Sequence, residues 1–177
     1  MDKEFTVYTK MNKTVFKQFS FFNSFILDGK YRPIVIFPLV MFLVGTFFLV
    51  KENYSFASTM LSLGVLYVAG YFFIYQNGLR QQITKFKLDN DVNVYTLQCD
   101  SNGVDIFNDK EKTRILWNEI HMLYIYKTNF YLYIAPQRAF IMPFKDITGG
   151  SAEEFLEFFR SVLPGEKIVL KNASGLK

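Results

Sequence analysis

Asp89, Asn90, Asp91 and Asn93 stand at the first, second, third and fifth positions of a possible calcium loop, a run of oxygen ligands that suits a hard cation. The pattern then breaks. Val94 occupies the sixth position, where the sharp turn needs glycine, and Asp100 the twelfth, where a bidentate glutamate is required. Calcium is therefore not expected. Cys99 is the one cysteine and His121 the one histidine, which excludes an internal disulfide, His-rich metal clusters and the common catalytic triads. No base is placed beside Cys99 by the sequence, and Glu119, near Trp117, has no second carboxylate in reach and reads as part of a polar turn. Neither an enzyme nor a cofactor or metal is expected.

A different chemistry is open to Lys127, Arg138 and Lys145, which lie at or beside turns. They are candidate contacts to anionic headgroups or to a partner, each worth about 1 kcal/mol near a charged surface. The same three residues would equally serve as a solvated rim. Trp117 and Tyr124 are read as core.

The elements that carry these residues alternate with period two. Residues 92–99, 103–107, 112–117, 121–127, 130–135 and 138–142 are predicted strands of an antiparallel meander. Asn102-Gly103 is predicted as a type I′ hairpin turn, with residues 108–111, 128–129 and 136–137 forming the others. In the last hairpin Phe130, Leu132 and Ile134 face one way and Tyr131 and Tyr133 the other, and Pro143 ends the strand. Residues 151–163 form an amphipathic helix with Ser151 and Glu154 as a capping box and Phe155, Phe158, Phe159 and Val162 as its stripe. Such a helix covers the apolar face of a curved sheet.

Upstream, residues 33–50 and 55–75 contain no charged residue. As helices they reach roughly 27 and 31 Å, close to the hydrocarbon thickness of about 30 Å. They read as an antiparallel transmembrane pair joined by a short link, with Pro38 kinking the first. No intramembrane charge marks a proton relay or ion path. Gly45, Ser58, Ser62, Gly64 and Gly70 could let the helices approach closely. Lys3, Lys10, Lys13, Lys17, Lys30 and Arg32 precede the spans, Lys51 alone lies in the link, and Arg80, Lys85 and Lys87 follow. The positive-inside rule then places both termini in the cytoplasm, in a cell membrane.

The basic residues of the N-terminal arm outweigh Asp2, Glu4 and Asp28, which accounts for most of the net charge of +4 and points to a membrane surface rather than nucleic acid. Within this arm, residues 4–9 read as a strand and 12–29 as a Phe-rich amphipathic helix. Lys13 and Lys17 lie on its polar side and Phe19 and Phe22 on its apolar side, with Asn12 and Gly29 as caps. This helix lies along the cytoplasmic interface or packs its Phe face on the cytoplasmic domain. The predicted organisation is thus 1–30 strand and interfacial helix, 31–76 helical hairpin, 88–166 β domain with C-terminal helix, and 167–177 tail.

The two-span hairpin, "ILWNEI" at 115–120, "NFYLYIAPQRAFIMPF" at 129–144 and "EEFLEFFRSVL" at 153–163 together resemble the YcxB-like family of bacterial membrane proteins. That family is similar to pleckstrin-homology-like (PH-like) modules carried on paired transmembrane helices. The resemblance runs from about Tyr31 to Leu163 and rests on pattern, not on an invariant signature. It implies a membrane α+β protein whose cytoplasmic PH-like domain has six to seven strands, and it carries over no catalytic residue. Its expected role is a non-enzymatic, membrane-anchored interaction protein, with the bilayer and a protein partner or a second copy as partners. An immunity factor against membrane-active peptides and a small transporter subunit are the alternatives.

Overall fold

The structure is a computed structural model that describes residues 4–88, 93–108, 112–136 and 138–173. It divides into two compact units, one of residues 1–12 with 90–177 and one of residues 13–89.

In the first unit the described residues form nine strands and one α-helix: β1 Phe5–Met11, β2 Asn93–Cys99, β3 Gly103–Phe107, β4 Lys112–Leu116, β5 Met122–Lys127, β6 Asn129–Ala135, β7 Arg138–Pro143, β8 Ile147–Thr148, α4 Ala152–Val162 and β9 Ile168–Ala173. Two sheets result, in the orders β4-β3-β2-β1-β8 and β7-β6-β5-β9. The single meander predicted from sequence is replaced by this pair of sheets for two reasons. The N-terminal strand, grouped by sequence with the arm, pairs along its whole length with β2, from Phe5 opposite Cys99 to Met11 opposite Asn93. The predicted tail supplies β9, which pairs parallel with β5.

Apolar residues at alternate positions make the core between the sheets. Phe5, Val7, Leu97, Val104, Leu123, Ile125, Phe130 and Leu132 are all fully buried. Helix α4 closes this core: Phe155 and Phe159 pack on Phe130 at ring distances of 5.4 and 5.8 Å, and Phe155 lies 4.8 Å from Phe5. Burying a Phe side chain contributes roughly 1.5–3 kcal/mol, so this cluster is a main source of the unit's stability. The predicted capping box is present, with the Ser151 N–H donating to Glu154 Oε2 and the Glu154 N–H to Ser151 Oγ. Both faces of β6 are buried, Tyr131 and Tyr133 included.

The turn at Asn102-Gly103 differs from its prediction. Neither residue has positive φ; instead Asp100 Oδ1 accepts from the N–H groups of Asn102 and Gly103, an Asx-type turn that does the same job. Glycine is needed at 103 because a Cβ there would collide with the Ile115 carbonyl oxygen on the neighbouring strand. At Gly149 (φ +97) the chain crosses over the start of β1, where a Cβ would meet Glu4 O at 2.7 Å.

The second unit contains α1 Lys13–Phe21, a π-helical turn Phe22–Leu27, α2 Tyr31–Val50 and α3 Tyr54–Lys85. The predicted single helix over 12–29 is therefore α-helical only in its first half. Its wider second half ends where Asp28 N–H donates to Asn23 O and Gly29 takes φ +65. Helices α2 and α3 are long and apolar enough to cross a membrane. Glu52 (φ 59) breaks the chain between them and the Asn53 side chain caps α3 through the Phe56 N–H. They run antiparallel, with Phe48 against Phe56 and Phe37 against Tyr67. Helix α2 continues through Pro38. Gly45 and Gly64 give close approach, since a Cβ at Gly45 would lie 2.8 Å from Leu61 and one at Gly64 3.3 Å from Met41. Gly70 faces open space and Ser58 and Ser62 are exposed, so these three do not mediate the contact. Helix α3 runs to Lys85, past the predicted end near 76, because the buried pair Leu79 and Ile83 continues an apolar stripe after the uncharged stretch.

A fragment beginning at residue 90 lacks β1, an interior strand. It is expected to show no cooperative unfolding transition, whereas residues 1–12 joined to 90–177 by a flexible linker should fold. Circular dichroism melts of the two polypeptides check this.

Candidate functional site

One side chain of strand β1 makes a hydrogen bond across to the other sheet. Thr9, 1% exposed, donates its hydroxyl to the Ile141 carbonyl of β7 at 2.8 Å. On this side of β1 only Thr6 and Val7 have strand partners, in the two-residue β8. Around the Thr9 bond a cleft of about 220 Å³ opens, lined by Thr9, Met11, Tyr95, Leu97 and residues 138–141. A recess of about 110 Å³ shares Tyr95, Arg138 and Phe140 with it and adds Ile106, Thr113 and Ile115. The Tyr95 and Phe140 rings meet edge-on at 6.2 Å, so one aromatic pair and one cation belong to both.

Arg138 is exposed, and no hydrogen bond or ion pair engages its guanidinium among the described residues. A planar fork of N–H donors at the rim of an apolar recess suits a carboxylate carried between apolar groups. The two other arginines of this unit are engaged. Arg114 bonds Asp100 at 2.6 Å and lies 3.7 Å from Asp105, which Lys112 also reaches at 3.2 Å. Arg160 pairs with Glu157.

The three cations singled out by sequence are not brought together. Lys127 sits in the β5–β6 turn with φ 52, its ammonium 5.5 Å from the Tyr126 ring. Lys145 follows β7, and the Phe144 N–H donates to Thr128 O, which holds these two turns at one end of the sheet. Arg138 pairs with Ala135 at the other end of the β6–β7 hairpin, whose near end is Asn129 opposite Pro143. At about 3.3 Å per residue that separation is roughly 15–20 Å, too far for one headgroup.

On α1, Lys13 and Lys17 are exposed, Phe19 is half-buried and Phe22 is fully buried, so Phe22 offers nothing to lipid. The π-helical turn carries Phe25 instead toward Tyr71 and Tyr75 of α3, at ring distances of 6.4 and 5.1 Å.

Cys99, Asp100 and Glu119 are each engaged in the fold. Cys99 is 1% exposed, and burial, then the neighbouring Asp100 carboxylate, push its thiol far above the ordinary range. Burial alone would raise the Asp100 carboxyl, but the N–H groups of Asn102 and Gly103 and the Arg114 guanidinium outweigh it and hold the carboxyl below its usual value. Glu119 Oε2 accepts from the Leu116 N–H at 2.8 Å, forming the polar turn expected of it. Lys167 Nζ caps the same turn through the carbonyls of Asn118 and Ile120. His121 is exposed. Of the calcium-loop pattern, residues 89–92 lie outside the described residues, as do 109–111 and Gln137 of two predicted turns.

Sequence reasoning missed Thr9, Tyr95 and Phe140. The signal was available for Thr9, which continues the two-residue period set by Phe5 and Val7.

These features define a class: an α+β protein with a two-sheet β unit closed by a helix, and a hairpin of long apolar helices. Residues 99–159 match the family whose model is described as YcxB-like protein, in line with the resemblance drawn from sequence. The matched segment runs from the end of β2 into α4 and includes Arg138; β1, the apolar helices and β9 lie outside it. Comparison with curated proteins and with solved structures returns no match.

Two outcomes are expected. Cys99 should resist maleimide at neutral pH in the folded protein and label fully in denaturant. Because Asp100 has a lowered pKa in the folded state, its ion pair stabilises fully above the unfolded aspartate value of about 3.9. That contribution is lost as pH falls through the folded value. Asp100→Asn should therefore lower the melting temperature at pH 6 and make little difference near pH 2, a comparison that thermal melts at the two pH values decide.

Proposed function

We propose that this is a membrane-anchored, non-enzymatic interaction protein, whose PH-like β unit faces the cytoplasm and takes a protein partner in the cleft beside Arg138. The observation that carries the reading is the cleft itself: apolar walls, an aromatic pair shared by two recesses, and one guanidinium that no group of the chain occupies among the described residues. An extended segment with a carboxylate flanked by apolar side chains fits this chemistry. A protein partner is favoured over a flat lipid surface for this unit because Lys127 and Lys145 lie at the opposite end of the hairpin from Arg138.

Three observations support the membrane anchor. Only 11% of the apolar stretch of each long helix is buried, which is foreign to the core helix of a soluble protein. Large side chains such as Leu43, Phe73 and Ile74 are 65, 68 and 72% exposed, a surface that water would not tolerate. Strands β1 and β2 flank the helices in sequence and pair over all seven residues of β1, so a chain that leaves its compartment in α2 must return in α3. The excess of Lys and Arg before α2 and after α3 supports reading that compartment as the inside of the cell.

A photo-crosslinking amino acid at Tyr95 in the full-length protein, in cells, should yield a protein adduct that falls at least about five-fold with Arg138→Glu and persists with Lys10→Gln. An adduct indifferent to Arg138→Glu, or lipid adducts alone, would overturn the reading.

A further inference from the structure

The helical unit holds a second cleft, unrelated to Arg138 and different in chemistry. Lys13 and Lys17 stand one turn apart on α1, and Gln76, Arg80 and Thr84 follow one another at four-residue spacing along α3. Between them lies a cleft of about 350 Å³, with the buried Leu79 and Ile83 among its lining residues. Three cations therefore converge on one space. Among the described residues no carboxylate lines it, and neither Lys17 nor Arg80 has an ion pair. Like charges gathered around one cleft repel one another, the more so where the dielectric is lower than that of water. An anion in the cleft would reverse that repulsion. Gln76 and Thr84 add neutral hydrogen-bonding groups beside the cations, which suits a group with several acceptor oxygens.

The position of the cleft selects the kind of anion. The apolar stretch of α3 gives way to Gln76 and Asn77 after Tyr75, and Arg80, the first charge, lies five residues beyond Tyr75, about 7.5 Å along the helix axis. Tyr75 itself is held against the N-terminal arm by Phe25 and by Ser20, whose Oγ is 3.5 Å from its hydroxyl. With the uncharged stretch in hydrocarbon, the three cations fall at the depth of lipid phosphates. This inference rests on the membrane-anchor reading above.

We propose that Lys13, Lys17, Arg80, Gln76 and Thr84 form a binding site for the phosphoester headgroup of an anionic lipid of the inner leaflet. The site clamps α1 against the end of α3 by electrostatics, with the lipid phosphate as the bridging charge.

The test uses full-length protein purified in a neutral detergent, titrated in separate arms with short-chain phosphatidic acid, short-chain phosphatidylcholine and inorganic phosphate, with the melting temperature as readout. Phosphatidic acid should raise the melting temperature saturably, and phosphatidylcholine should not. Lys17→Gln and Arg80→Gln should each weaken the apparent affinity about five-fold, and together about 25-fold. Lys10→Gln, a surface cation on the β unit, should leave it unchanged. The effect should shrink as salt is added. Equal stabilisation by inorganic phosphate would overturn the lipid assignment, and an affinity indifferent to both substitutions would overturn the site. If the chain proved to need no detergent, the membrane-anchor reading would fail on its own, and the same titrations would still report whether the cleft binds a phosphoester.

Discussion

The constraint on which the rest of the structure depends is the pairing of β1 with β2 across some eighty residues of intervening chain. Seven residues before the helices align with seven after them, in antiparallel register from Phe5–Cys99 to Met11–Asn93. Closing so long a loop costs entropy that grows only as its logarithm, so the insertion of a helical unit at this point is tolerable if β1 is well held. It is held on three sides: by the β2 ladder, by β8 at Thr6 and Val7, and by Phe5 against Phe155 and Phe158 of α4. The helices are thus an excursion from within a β unit, and on the proposed membrane reading the excursion must contain an even number of crossings.

The same strand shapes the cleft beside Arg138. Thr9 joins β1 to β7 by a side-chain hydroxyl rather than by a backbone ladder, and the space beside that bond is where Arg138, Tyr95 and Phe140 meet. Around it, several polar and ionisable groups serve the fold. Glu119 and Lys167 cap one turn, Asp100 builds another, and Cys99 is closed inside the core. Among the described residues of the β unit, the Arg138 guanidinium is left without an ion pair at the edge of apolar surfaces, and the helical unit gathers three cations around a separate cleft.

Much of the β unit was legible because half-buried strands alternate and helices repeat near 3.6. The six strands from 92 to 142, the capping box at Ser151 and Glu154, and the Phe stripe of α4 all follow from such local patterns. What was not legible is non-local. Strand β9 pairs parallel with β5 and so has no hairpin turn to announce it, although Ile168, Val169 and Leu170 are an apolar triplet of strand type. The membership of β1 in the β unit is likewise set by partners far away in sequence. Helix α3 outran its predicted end because the apolar span closes at Tyr75, while Leu79 and Ile83 carry the helix onward by burial. The two clefts were the least legible feature, since each is made of residues from elements distant in sequence, with Thr9 beside Arg138 and Lys17 beside Arg80.

The central claim is that the β unit stays on one side of a bilayer while the link between α2 and α3 reaches the other. Single cysteines at Lys51, in that link, and at His121, exposed on the β unit, probe it directly with a membrane-impermeant maleimide on intact cells. The account predicts that Lys51→Cys labels in intact cells and His121→Cys only after permeabilisation. Labelling of both positions, or of His121→Cys alone, in intact cells would contradict it.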